Sequence, residues 1–231
     1  YFPHSGVSTF FLNESPRRRE LSFRLINSTL HYAKGWEADF VVTHLVWKDD
    51  SKNRKKVMSL VSNTRSLFCE LSDKYDVPIN IEFGGYSGYF HKPIQFVEFV
   101  SEHPLLGICI DIGHTFLIAK VRNRNFLNDI ETMAPHTKSI HVWNTKDLNH
   151  CKKHNHVPVH PSQKISNGWI DIKKTLEIIL SCNKDCDIVF EYNHTYYDKI
   201  PDQVKEGMEW VKDIVYSNKE KPKTFSETHR S

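Results

Sequence analysis

The sequence of 231 residues predicts an α/β fold, specifically a (β/α)₈ barrel, and three observations lead to this prediction. Short apolar segments, as expected for buried parallel strands, alternate with segments of helical periodicity. Nearly every strand-like segment ends in a His, Asp or Glu residue. In a barrel the C-terminal ends of all strands surround one mouth, whereas an open sheet would spread these side chains along a line. The barrel therefore accounts for the pattern better than an open sheet does.

Length and composition restrict the possible classes of protein. The chain is long enough to bury a substantial core. It carries 31 Lys and Arg against 28 Asp and Glu, and a net charge of +3 does not by itself indicate a surface for nucleic acid or an anionic membrane. No apolar run approaches the roughly 18 residues of a membrane span, and no signal peptide is visible. The five cysteines lack the spacing of a small disulfide scaffold, so we expect reduced thiols and a cytoplasmic location.

The predicted elements alternate along the chain. Seven segments have the pattern of strands or extended pieces: 1–4, 39–45, 77–83, 107–110, 138–143, 157–160 and 187–191. Six segments have helical periodicity: 17–35, 51–75, 93–103, 125–133, 169–181 and 201–216. We expect one barrel domain over residues 1–216, followed by a flexible, charged, Pro-containing tail over residues 217–231.

The stretch Leu106-Gly-Ile-Cys-Ile-Asp-Ile-Gly-His-Thr115 is the most informative part of the sequence. It predicts a buried strand that ends at Asp111, with His114 three residues further on. A carboxylate and an imidazole at this spacing can face one ion or one substrate. The alternative is that Asp111 caps the following helix and that His114 is an ordinary surface residue.

Polar side chains recur at the ends of the other strand-like segments. With Asp111, the residues at these positions are His4, His44, Glu82, His141, His160 and Glu191. A buried charge is costly unless it is paired or bound to a metal, and a core does not need one at nearly every strand end. The pattern therefore predicts a metal-binding mouth. Three further histidines, at positions 150, 154 and 156, lie in a polar loop and are interpreted as solvated.

The sequence resembles the xylose isomerase-like TIM-barrel superfamily, which includes sugar isomerases and epimerases as well as endonuclease IV, an AP endonuclease of family 2. The resemblance extends from His4 to Glu191. The segments that carry it are Phe11-Leu-Asn-Glu-Ser-Pro16, Ala38-Asp-Phe-Val-Val-Thr-His44, Ile81-Glu82, Gly107-Ile-Cys-Ile-Asp-Ile-Gly-His114, Ser139-Ile-His-Val-Trp-Asn144, Gly168-Trp-Ile-Asp171 and Ile188-Val-Phe-Glu191.

The isomerase branch of this family implies one divalent ion, such as Mn, Mg, Co or Zn. The implied ligands are Glu82, Asp111, His141 and Glu191. Glu82 and Glu191 would also form the acid/base pair that flanks the substrate carbon. The implied substrate is a small carbohydrate, and its binding residues would be His114, Asn144 and Lys146.

The endonuclease IV branch implies three zinc ions. His4 and His44 would join Glu82 at the first zinc. Asp111, His141 and Glu191 would share the second zinc with Glu82, and His114 and His160 would hold the third. The sequence departs from this branch in three ways. Pro158-Val-His160 stands where the family has Asp-x-His, Phe83 replaces the usual Asn, and the charge of +3 is low for a surface that binds DNA.

The resemblance also implies a strand and helix before Tyr1, so we hypothesise a barrel that lacks its first βα unit. An unpaired edge would then require cover from a removed leader, a fused segment, a partner chain or a second copy. The function expected is isomerisation or epimerisation of a sugar or sugar phosphate. The alternatives are a multi-zinc phosphodiesterase for abasic DNA and a metal-binding barrel without catalysis. Only the phosphodiesterase would have nucleic acid as a partner.

Overall fold

The computed structural model describes residues 9–45, 52–84 and 87–219. Within these ranges it contains five strands: β1 (Val41–Thr43), β2 (Ile79–Glu82), β3 (Leu106–Asp111), β4 (Thr137–Val142) and β5 (Asp187–Phe190). They form a single parallel sheet in the order β1-β2-β3-β4-β5. Parallel neighbours in the order of the chain are the winding of a (β/α)₈ barrel, and the described residues form part of such a barrel.

Helices connect successive strands and cover the outer face of the sheet. They are α1 (Pro16–Gly35), α2 (Arg54–Tyr75), α3 (Pro93–Val100), α4 (Ile112–Val121), α5 (Phe126–Met133), α6 (Leu148–His154), α7 (Ile172–Cys182), α8 (Thr195–Lys199) and α9 (Pro201–Lys219). Each helix in the described part of the chain is too short or too polar to cross a membrane. All five cysteines are free thiols.

The sheet differs from the sequence prediction at two segments. Residues 157–160 do not form a strand, because only Val157 pairs, through an isolated antiparallel bridge with Asn144. The segment 1–4, which includes His4, lies outside the described residues. The prediction of a strand at residues 157–160 is therefore wrong. The prediction of a strand at residues 1–4 stays a prediction.

Three helices in the described ranges were not predicted. They are α4, α6 and α8. Helix α4 was missed because it starts directly after β3 and six of its ten residues are buried, so it shows no polar face and no helical periodicity. Helix α9 extends to Lys219 and includes the first three residues of the predicted tail. The remainder of that tail lies outside the described residues.

The hydrophobic core lies between the outer face of the sheet and the helices. Five isoleucines on this face are completely buried: Ile79, Ile81, Ile108, Ile110 and Ile140. Aromatic rings extend the core between the helices, for example Phe68 on α2, which packs edge-on against Phe11 at 5.0 Å. Burial of these side chains is the main favourable contribution to folding, at about 1.5–3 kcal/mol for each fully buried Ile or Phe.

The inner face of the sheet is polar and is held together by a hydrogen bond that spans three strands. Asn80 Nδ2 on β2 donates to Ser139 Oγ on β4 at 3.0 Å, and both side chains are buried. Gly107 on the intervening strand β3 leaves room for this bond, because a Cβ atom there would lie 2.6 Å from Asn80 Oδ1. This cross-strand bond fixes the strands directly below their C-terminal ends.

Replacement of Gly207 tests the packing of α9. A Cβ atom at Gly207 would lie 1.9 Å from the backbone oxygen of Val159. We expect Gly207→Ala to lower the free energy of unfolding by roughly 1–3 kcal/mol, the usual cost of overpacking. For a chain of this size the melting temperature would fall by about 2–4 °C per kcal/mol, as measured by circular dichroism.

The matched control for this prediction is Gly35→Ala, because no atom lies within 4 Å of a Cβ built at Gly35. The control variant should keep the melting temperature of the unmodified protein. Equal melting temperatures for both variants would show that α9 does not pack closely against Val159.

Candidate metal centre

The ends of four neighbouring strands bring the predicted ligands together. Glu82 is the last residue of β2 and Asp111 the last of β3, while His141 is the second-last residue of β4 and Glu191 follows β5. The parallel ladder pairs Asp111 with His141. The backbone N–H of Glu191 donates to the carbonyl of Val142 at 3.3 Å, which extends the contact between β4 and β5 by one step.

The imidazole of His141 lies at the centre of three carboxylates. Its Nδ1 atom is 3.1 Å from Glu191 Oε2, 3.5 Å from Glu82 Oε2 and 4.0 Å from Asp111 Oδ2. Although this nitrogen is buried, it forms no hydrogen bond of acceptable geometry with any of them. Ligand atoms of Asp111, His141 and Glu191 lie within 4.8 Å of one another. A ring nitrogen and carboxylate oxygens that face a common point are a donor set for a divalent cation.

Burial and mutual repulsion make this cluster electrostatically unusual. Burial, followed by the charges of Glu82 and Glu191, raises the pKa of Asp111 well above its ordinary value. Burial alone would lower the pKa of His141, but Cys109, Glu191 and Glu82 together raise it to about 12. Burial would raise the pKa of Glu191, yet His141 holds it at about 2. The raised pKa of Asp111 shows that a third negative charge beside Glu82 and Glu191 is unfavourable here, and a bound cation would relieve that repulsion.

Glu82 also has a second histidine partner. His44 Nε2 lies 3.0 Å from Glu82 Oε1. Burial opposes ionisation of both side chains, but their attraction dominates, so the pKa of His44 is raised and that of Glu82 is lowered. Thr9 holds the backbone at His44, because its hydroxyl donates to the His44 carbonyl at 2.8 Å.

Asp111 combines two roles that the sequence left as alternatives. It is the N-cap of α4, because its Oδ1 accepts the backbone N–H of His114 at 2.6 Å, and it also faces the ligand cluster. The His114 ring belongs to a second group with Glu82 and Asp111, whose ligand atoms again lie within 4.8 Å. Burial lowers the pKa of His114, which favours the neutral imidazole that can bind a metal or accept a hydrogen bond.

Three other predicted site residues make contacts with groups outside this cluster. His160 Nε2 faces Glu206 Oε2 on α9 at 3.2 Å. Lys146 places its ammonium group 5.0 Å from the ring centre of Trp169. Asn144 is buried and its side chain holds the following loop, because Oδ1 accepts the backbone N–H groups of Thr145 and Ile170. His4, the remaining predicted ligand, lies outside the described residues.

His156 was interpreted as a solvated loop residue, but the structure places it at the mouth. Its ring stacks on Trp143 with a centroid distance of 4.0 Å and an interplanar angle of 13°, and it meets the His114 ring edge-on at 5.2 Å. The sequence did contain a signal for this position. The next residues are Val157-Pro-Val159, and Val159 is completely buried, so this part of the loop returns to the core.

The family of the chain follows from comparison with known proteins. Residues 2–214 match the family described as xylose isomerase-like TIM barrel, so the chain belongs to this family. No curated protein has a significant sequence match to the chain.

Solved structures with the same fold include several epimerases. The IOLI protein with a bound zinc atom has a TM-score of 0.68 at 16% identity, covering 90% of this chain and 74% of that one. An L-ribulose 3-epimerase has a TM-score of 0.67 at 10% identity, with 96% and 76% covered. The 3-keto-D-glucoside 4-epimerase YcjR from E. coli has a TM-score of 0.65 at 12% identity, with 89% and 76% covered. At these identities the structures show a shared fold.

The centre can be tested with His141→Ala, which removes the nitrogen that faces three carboxylates. We expect Mn²⁺ or Zn²⁺ to bind the variant at least about 100-fold more weakly, because a ligand contributes no less than the outer residues that orient it. The measurement is a competition titration against a chelating dye.

The control is His160→Ala, in which the lost imidazole faces Glu206 instead of the cluster. Its affinity should stay within about twofold of the unmodified protein. Equal weakening in both variants would contradict the assignment of His141 as a ligand and would point to a general loss of structure.

Proposed function

We propose that the protein is an isomerase or epimerase for a sugar or sugar phosphate and that it uses one divalent metal ion. The observation that carries the proposal is the convergence of Glu82, Asp111 and Glu191 on His141 Nδ1 at 3.1–4.0 Å. Its setting, the strand ends of a xylose isomerase-like barrel, supports the same reaction class. The epimerase activities of the similar structures agree with it.

Four residues would hold the ion: Glu82, Asp111, His141 and Glu191. The residues fit this task because the cluster contains three carboxylates and a buried ring nitrogen that forms no acceptable hydrogen bond. When bound, a divalent ion polarises a substrate carbonyl and its neighbouring hydroxyl, which makes the adjacent C–H bond more acidic.

Glu82 and Glu191 would transfer the proton. The pKa values of both groups are lowered, that of Glu191 to about 2, so both are carboxylates near neutral pH and can act as bases. One carboxylate would remove the proton from the substrate carbon and become protonated itself. For isomerisation the same group would return that proton to the neighbouring carbon. For epimerisation the other carboxylate would first take up a proton from solvent and deliver it to the opposite face, while the first group releases its proton to solvent. His114, with its lowered pKa, would accept a hydrogen bond from a substrate hydroxyl.

A metal phosphodiesterase similar to endonuclease IV is the second candidate, and one contact favours it. His44 lies 3.0 Å from Glu82, as expected if both residues bind an additional zinc ion. The position of His160 argues against this candidate, because its ring pairs with Glu206 on α9. A metal-binding barrel without catalytic activity is the third candidate, and it would show no proton exchange with a sugar.

Glu191→Gln tests the proton-transfer proposal. Exchange of the substrate C–H proton with D₂O, followed by NMR on a panel of ketoses and their phosphates, should slow by about 10²–10⁴-fold because a general base is lost. Metal content is measured in parallel, so that loss of the base can be separated from loss of the ion.

Glu206→Gln is the matched control for this experiment, because Glu206 is a carboxylate on α9 whose Oε2 atom faces His160 instead of the cluster. It should exchange protons at the unmodified rate. If Glu191→Gln retains the full exchange rate with full metal content, the carboxylate is not the base.

Metal stoichiometry distinguishes the two catalytic candidates. For the isomerase we expect one ion per chain in protein purified without chelators, as determined by elemental analysis. Two or three zinc ions per chain, together with a salt-sensitive affinity for abasic duplex DNA, would instead establish the phosphodiesterase.

A further inference from the structure

Asp111 is held by two neutral hydrogen-bond donors. The indole N–H of Trp143 lies 2.8 Å from both carboxylate oxygens, and the backbone N–H of His114 donates to Oδ1 at 2.6 Å. Oδ2 is the oxygen that faces His141 Nδ1 at 4.0 Å. Together the two donors fix the rotation of the carboxylate about its Cβ–Cγ bond and leave Oδ2 directed at the cluster.

The indole of Trp143 is itself immobilised by packing. It is completely buried. A Cβ atom at Gly113 would lie 2.2 Å from its ring, so only glycine at this position allows the indole to lie where it does. The ring of His156 stacks on it at 4.0 Å. The donor is therefore held in place before any ligand binds.

A neutral donor has a specific advantage at this position. A buried carboxylate needs hydrogen bonds to remain ionised, and a cationic donor such as Arg or Lys would supply them together with a positive charge. That charge would repel a divalent ion a few ångströms away. The indole N–H stabilises the carboxylate without this competition.

We propose that Trp143 is a positioning residue for metal binding, whose indole N–H fixes the Asp111 carboxylate so that it offers one oxygen to the ion. The inference rests on the proposed function, because it requires that the cluster of Glu82, Asp111, His141 and Glu191 binds a divalent cation. Outer donors that orient a metal ligand typically contribute 10–100-fold to affinity.

The test is Trp143→Phe, which keeps an aromatic ring in the core but removes the N–H. The affinity for Mn²⁺ and for Zn²⁺ is measured by competition with a chelating dye, and the melting temperature of the metal-free protein is recorded. We expect the dissociation constant to rise about 10–100-fold. Trp169→Phe is the matched control, since Trp169 contacts Lys146 and His150, and its dissociation constant should not change.

The outcomes separate this inference from the proposed function. If the unmodified protein binds neither ion, both are wrong. If the unmodified protein binds an ion and the folded Trp143→Phe variant binds it within threefold, only the role of Trp143 is wrong. A loss of affinity equal to that of Trp169→Phe would also overturn the inference, because the effect would not depend on the contact with Asp111.

A second measurement on the unmodified protein applies if Trp143→Phe does not fold. The five indole N–H groups are labelled with ¹⁵N, and that of Trp143 is identified by elimination with variants of the other four tryptophans. This signal should be protected from hydrogen exchange and should shift when one equivalent of Zn²⁺ is added. An exchange rate like that of free indole, or no shift on saturation, would overturn the inference.

Discussion

The mouth of the barrel is dominated by repulsion among three carboxylates at the ends of adjacent strands. Glu82 and Asp111 are almost fully buried, and Glu191 is only 27% exposed. Such a group is stable only if positive charge lies among the carboxylates. His141 provides a proton for this purpose and His44 a second partner for Glu82. A bound divalent ion would neutralise more of the negative charge of the carboxylates than these histidines do.

The remaining structure holds these repelling groups in place. The bond from Asn80 to Ser139 joins β2 and β4 below the cluster, and Gly107 allows it to pass over β3. Above it, Trp143 and the backbone of His114 direct the Asp111 carboxylate. Bringing three carboxylates together costs free energy, and folding must offset that cost. Burial of the isoleucines on the outer face of the sheet provides the offsetting free energy.

Much of the site could be predicted from the sequence because parallel strands leave a simple signature. Apolar strands that end in Glu82, Asp111 and His141 indicated both the fold and the neighbouring positions of these residues. The C-terminal ends of adjacent parallel strands lie at one edge of the sheet wherever the connecting helices begin and end. Errors in the predicted helix boundaries therefore did not affect the prediction of the site. The membership of the family, first inferred from the same residues, is confirmed.

The contacts of loop residues were less predictable, because they depend on the three-dimensional path of the chain, which the local sequence pattern does not determine. His156 and His160 occupy similar polar sequence, yet one stacks on Trp143 at the mouth and the other pairs with Glu206 on α9. Helix α4 was hidden by its burial, which removes the polar face that periodicity requires. The donor role of Trp143 could not be inferred either, since an aromatic residue after a strand normally indicates packing alone.

Strand β3 continues directly into α4 at Asp111, and this restricts where the sequence around the site can change in length. With no loop between strand and helix, an insertion or deletion at this junction would rotate α4 and shift the carboxylate, so its length is constrained. Residues 145–169 lie between Asn144 and Ile170, which are joined by a hydrogen bond, and they contain the short helix α6 and a turn of 3₁₀ helix at Ile165–Asn167. New substrate preferences can therefore arise, or be engineered, by changes in this segment that keep His156 stacked on Trp143, while the ligands stay where they are.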